Sequence, residues 1–166
     1  MDQALRRSEL FADLDEDQSE RLAEIAQPLS LKAGEYLFLL GDFADRLFIV
    51  VEGRVEACFP LNISGEIQDV AVESKLPGST LGWSAFVKPH RFTLSARAAE
   101  PSRVISIPRQ ELLEILEADP ELGKEFLMRL NQVIGRRLLT IQALWARELQ
   151  RVLDAGLVGV HGIAQG

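Results

Sequence analysis

Hydrophobic and polar positions change their period twice along the chain. Leu10, Phe11 and Leu14, then Leu22, Ile25 and Ala26, recur at helical spacing, so a helix is predicted over Ser8–Gln27 with Asp15 and Asp17 as acidic caps. Pro28 closes it, because the residue before a proline is pushed out of the helical region. From Leu29 the period falls to two. Strands are predicted at Leu29–Lys32, Tyr36–Leu40, Arg46–Val51 and Arg54–Phe59. Further strands fit Glu66–Glu73, Phe92–Ala99 and Arg103–Ile107, with breaks carrying Pro60, Gly65, Pro77-Gly78, Pro89 and Pro101. Short strands separated by frequent turn signals indicate an antiparallel sandwich or barrel.

After Pro108 the helical period returns. A short helix is predicted over Gln110–Glu117, and Asp119-Pro120 forms an N-cap and first-turn pair for the next one. That helix can run from Pro120 to Leu153, about 50 Å at 1.5 Å per residue. Its apolar stripe includes Leu127, Leu130, Ile134, Leu138, Ile141, Trp145, Leu149 and Val152. One small β domain cannot cover all of that stripe. The surplus, carried by Ile134, Leu138, Ile141, Trp145 and Leu149, predicts a homodimer seam. The expected organisation is therefore mainly β with α. A β domain with N-terminal helices fills residues 1–118, a dimerisation helix 119–153 and a loose glycine-containing tail 154–166.

Between Leu81 and Ala98 the order is glycine, helical turn (Ser84–Val87), proline loop and alternating strand. This is a layout for cradling a phosphate, since a helix start offers free N–H groups. Its centre carries Trp83 and Phe92, where an anion would require polar or cationic groups. Two readings follow: the aromatics fill the site as core, or they line an altered pocket for an apolar or aromatic ligand anchored by Ser84, Arg91 and Thr93.

Charge and composition narrow the function. The net charge is −7, with acid concentrated early in the chain, which argues against nucleic acid and anionic membrane as partners. Leu47–Val51 is far too short an apolar run to span a bilayer, and the N-terminus lacks a signal-peptide core. The single cysteine, Cys58, fits a reducing compartment, so a cytoplasmic protein is expected. His90 and His161 stand alone, without metal-ligand spacing, and no nucleophile or P-loop motif occurs. No metal, no required cofactor and no enzymatic activity are expected.

The segment Lys32–Glu56 carries Gly34, Gly41-Asp42, Asp45, Phe48 and Gly53 at turn positions between strands. Pro77-Gly78, Gly82 and the strand end Arg97–Glu100 follow in order. This set resembles a cyclic-nucleotide-binding domain over about Leu10 to Leu153. The resemblance implies an antiparallel, jelly-roll-like β-roll flanked by N-terminal helices, with a long C-terminal helix at a dimer interface. It places the ligand cassette at Leu81, Gly82, Trp83, Ser84, Ala85, Arg91, Phe92 and Thr93, with Ile141 and Gln142 contributed by the long helix.

The cassette departs from the family pattern. Members that bind cyclic AMP place a Glu for the ribose 2′-hydroxyl where this chain has Trp83. Their phosphate-pairing Arg falls on Phe92, one residue after Arg91. A one-residue slip turns a strand side chain to the opposite face, so Arg91 takes the role only if the loop after Pro89 re-aims it. Ile141 and Gln142 stand where the long helix of the cyclic-AMP-binding activators supplies hydroxyl groups. Cyclic AMP and cyclic GMP are therefore not expected as ligands. Related transcription regulators continue into a helix-turn-helix, for which residues 154–166 leave no room, so DNA binding is not expected. The function implied is a stand-alone regulatory or sensor domain acting through a dimer, an unidentified small ligand or a protein partner. The alternative is a structural interaction module with a plugged pocket.

Overall fold

The computed structural model describes residues Met1–Ala155; the expected tail lies almost entirely outside them. The elements run α1 (Asp2–Arg6), α2 (Glu16–Ile25), β1 (Gln27–Leu31), β2 (Tyr36–Phe38), β3 (Arg46–Glu52), β4 (Val55–Ile63) and β5 (Glu66–Lys75). There follow β6 (Thr80–Leu81), a single 3₁₀ turn (Trp83–Phe86), β7 (Ser95–Ala98), β8 (Ser102–Pro108), α3 (Arg109–Ala118) and α4 (Pro120–Asp154). The eight strands form two antiparallel sheets, ordered β1-β8-β3-β6 and β2-β7-β4-β5. Phe48, Val50 and Val104 of the first sheet meet Val55, Ala96 and Ala98 of the second in one buried cluster.

The chain divides into two units, Met1–Leu130 and Asn131–Gly166. In the second, the distal part of α4 exposes Leu138, Ile141, Trp145 and Leu149, while Ile134 is half-buried.

Three local expectations are corrected. The helix predicted over Ser8–Gln27 forms only over Glu16–Ile25: residues 7–15 connect α1 to α2 without helix, and Gln27 already belongs to β1. Asp15 starts α2 with a reciprocal capping box, its carboxylate accepting from the Gln18 amide at 2.8 Å. Ser8 Oγ accepts from the Phe11 amide at 3.2 Å, and Asp13 adopts φ 56°. Local side-chain bonds thus outbid helix propagation. Second, Pro60 lies inside β4 rather than at a break. Beyond Cys58 that strand is paired only with β5, so its other edge can take a nitrogen without a hydrogen. Third, β7 starts at Ser95, not Phe92.

The start of α4 is fixed by Asp119. One carboxylate oxygen accepts from the Leu122 amide at 3.0 Å; the other accepts from Gln18 Nε2 and Arg21 Nη2, each at 3.0 Å. The Leu122 amide first, then the Gln18 and Arg21 side chains, hold this carboxyl below its ordinary value of 3.8. A lowered folded-state pKa stabilises fully above the unfolded value and is lost as pH falls through the folded one. Asp119→Asn is therefore expected to lower Tm near neutrality and to flatten its fall below about pH 4. Acid limbs of equal steepness in variant and parent would refute this linkage.

Candidate functional site

Leu81 pairs with Phe48 across β6 and β3. The chain then reverses at Gly82, whose φ is 84°. A Cβ there would lie 2.6 Å from the Arg46 carbonyl oxygen, so both conformation and space require glycine. The 3₁₀ turn Trp83–Phe86 follows directly, with Ser84 and Ala85 buried and Trp83 half-buried. A loop then runs back through Pro89, His90 and Arg91 to Phe92.

That loop is zipped to residues 39–44. The Gly41 amide donates to the Phe92 carbonyl at 2.9 Å, the Phe92 amide to the Asp42 carbonyl at 3.0 Å, and the Ala44 amide to the His90 carbonyl at 2.8 Å. Phe43 and Arg91 form an isolated antiparallel bridge. These bonds set the facing of three successive side chains. Arg91 is exposed, Phe92 is buried at 6% exposure, and Thr93 is exposed.

The Phe92 ring lies flat on Phe38, with centroids 3.7 Å apart and planes 13° apart; Phe38 in turn stacks on Phe48 at 5.6 Å. Phe92, Leu81 and Ala85 belong to the buried cluster between the sheets, with Phe38 and Phe86 packed against it. The Arg91 guanidinium donates instead to the Gly41 carbonyl at 2.8 Å on the exposed side. So the loop after Pro89 leaves an outward arginine and an inward aromatic ring. Leu81, Gly82, Ser84, Ala85 and Phe92 come together, Trp83 borders them, and Arg91 and Thr93 turn outward. Ile141 and Gln142 lie exposed on α4 in the second unit.

Sequence reasoning missed Phe38, the partner that completes the aromatic stack. Its half-buried place in a three-residue strand carried no periodic signal. It also missed two links made by the site's flanks. Glu9 Oε1 accepts from the Thr80 amide at 2.8 Å and from Thr80 Oγ1 at 2.6 Å, fixing the strand that enters the cassette. Phe86 meets Phe126 of α4 edge-on at 5.1 Å, and Phe126 stacks on Phe11 at 5.6 Å. The 3₁₀ turn is thus in direct contact with the base of α4.

Among the described residues, no group of three or more His, Cys, Asp or Glu is placed to hold a metal ion. None of the described helices is long and apolar enough to cross a membrane.

Residues 28–119 match the cyclic nucleotide-binding domain. A solved putative cyclic nucleotide-binding protein from Geobacter metallireducens is 31% identical, with a TM-score of 0.67 over 82% of this chain and 96% of that one. A CRP-like cAMP-activated global transcriptional regulator of Mycobacterium tuberculosis is 26% identical over 142 residues, 83% of this chain. Uncharacterized NTE family proteins of Mycobacterium are 28% identical over 131 residues. The chain spans only 21% of the length of those NTE family proteins and 58% of the regulator. The two antiparallel sheets, the glycine-led cassette and the match over residues 28–119 lead to one assignment: the chain belongs to the cyclic nucleotide-binding domain family.

Proposed function

We propose that the chain is a regulatory domain that binds neither cyclic AMP nor cyclic GMP at physiological affinity and signals through contacts of its long helix. The carrying observation is Phe92, buried against Phe38 where the family resemblance calls for a phosphate-pairing arginine. An anion entering there meets an aromatic face and no charge-assisted donor, the kind of bond worth about 1.5–3 kcal/mol. The activator from Mycobacterium tuberculosis is named for activation by cAMP; this chain keeps the scaffold with a different filling.

The mechanism rests on Phe86 and Phe126. Occupancy or partner binding that moves the 3₁₀ turn must repack Phe86 on Phe126, and so tilts the base of α4. Such a ligand acts only by preferring one arrangement over the other. The Phe38–Phe92 stack equally supports a second reading, an interaction module whose pocket is permanently plugged. A thermal-shift screen with nucleotides, aromatic acids and lipids separates them, because a ligand of the folded state raises Tm.

The output surface is the stripe of exposed Leu138, Ile141, Trp145 and Leu149 with half-buried Ile134, which pairs with a second copy. With Val152 included, its steps average about 3.6 residues, the period of a straight helix, so the two helices pair without a left-handed supercoil. Trp145, 69% exposed, sits mid-stripe. Trp145→Lys is expected to convert the dimer to monomer in sedimentation equilibrium. A parent mass near 18.5 kDa at high concentration would overturn the dimer.

A further inference from the structure

The first sheet ends at β6, the outermost strand in the order β1-β8-β3-β6. Its two residues pair with β3, Leu81 with Phe48 and Thr80 with Ile49. The N–H groups of an antiparallel strand point alternately to the partner and away from it. The Thr80 amide is turned away from β3, onto the open edge. Yet Thr80 is only 2% exposed, and a buried N–H without a partner is costly. No further strand lies on that edge; Glu9 does.

Glu9 takes both rungs that a neighbouring strand would use. Its amide donates to the Gly78 carbonyl at 3.0 Å, and its Oε1 accepts from the Thr80 amide at 2.8 Å. The same oxygen accepts from Thr80 Oγ1 at 2.6 Å. Gly78 lets the N-terminal segment come this close: its φ is 91°, and a Cβ would lie 2.9 Å from the Arg7 carbonyl oxygen. Leu10 and Phe11, the next two residues, are buried, and Phe11 stacks on Phe126, so Glu9 is held at the edge by its own neighbours. Thr80 in turn is two residues from Gly82, whose positive φ starts the 3₁₀ turn.

We infer that Glu9 is a positioning residue for the cassette, and that the N-terminal turn is a latch on it. Glu9 acts through Thr80. While the latch is closed, the residues leading to Gly82 stay in line with β3, and Trp83–Phe86 starts from a fixed point. A movement of the cassette that begins at β6 must first break the two bonds to Oε1. This inference deepens the regulatory reading above, because it names what holds the cassette in its resting arrangement.

Hydrogen exchange of the full chain, read by mass spectrometry, tests the latch without a ligand. Glu9→Ala leaves two buried donors without an acceptor. It should speed exchange in residues 80–87 about tenfold or more, while residues 104–107 of β8 keep the parent's rate. Glu9→Gln retains an oxygen acceptor and should stay within about twofold of the parent. Thr80→Val removes only the hydroxyl bond. It should fall between the two, and adding it to Glu9→Ala should change little further. Exchange that rises evenly over both sheets would make Glu9 a general stability contact and overturn the latch. Unchanged exchange at residues 80–87, or a Glu9→Gln variant as fast as Glu9→Ala, would overturn it too. The two readings fail separately: micromolar cyclic AMP binding by the parent overturns the ligand reading and leaves the latch standing, whereas these exchange outcomes do the reverse.

Discussion

Replacing Phe92 with alanine should cost about 3–5 kcal/mol of folding stability, the usual penalty for emptying a buried aromatic site. For a domain of this size that is a fall in Tm of roughly 6–20 °C. The expectation follows from its surroundings. The ring is 6% exposed, flat against Phe38, and grouped with Leu81 and Ala85 between the two sheets. Its backbone is held on both sides by the 39–44 loop, so the chain cannot simply collapse into the space. Trp83→Ala should cost less, because Trp83 is only half-buried. Urea unfolding of both variants measures the contrast. A Phe92→Ala cost below about 1 kcal/mol would mean that the ring is a loosely seated lid and not part of the core.

The fold was largely legible because its marks are local. The longer strands show their period over a few residues, whereas the two-residue β6 shows none. The turns at Gly34, Gly41 and Gly53 all take positive φ, a requirement that one residue type satisfies without strain. The Asp119-Pro120 start of α4 was readable for the same reason: a cap is a contact between residues three apart. Failures came where a distant partner decided the outcome. Pro60 reads as a breaker until β7 is known to stop at the Cys58 pairing. Residues 8–15 fail for a local reason instead: their apolar spacing looks helical, but the Ser8 hydroxyl and the Asp15 capping box bond the backbone in competition with the helix.

The candidate site divides along the same line. That Phe92 points inward and Arg91 outward follows from alternation within the loop. That Phe92 lies on Phe38, 54 positions earlier, depends on how two loops zip together, which no short-range pattern encodes. Phe86 resting on Phe126, the contact on which the proposed signal depends, is equally remote in sequence.

The most discriminating result concerns the nucleotide itself. Calorimetry of the parent protein should give no binding of cyclic AMP or cyclic GMP in the micromolar range. Micromolar affinity amounts to about 8 kcal/mol, and losing the ribose-bonding Glu and the phosphate-pairing Arg together removes a large part of that. Trp83→Glu with Phe92→Arg should restore binding. The arginine alone would put an unpaired cation beside Phe38 and destabilise the domain by about 3–5 kcal/mol. An anionic ligand relieves that penalty, so the double variant should be less stable than the parent when free and strongly stabilised when bound. At a concentration one hundred times the dissociation constant, the gain is about 2.7 kcal/mol, or roughly 5–11 °C in Tm. Neither single variant should be stabilised by cyclic nucleotide, although Phe92→Arg alone carries the loss of stability. Low-micromolar binding by the parent would show that Phe92 swings off Phe38 to admit the ligand, and would make the stacked pair a gate instead of a plug.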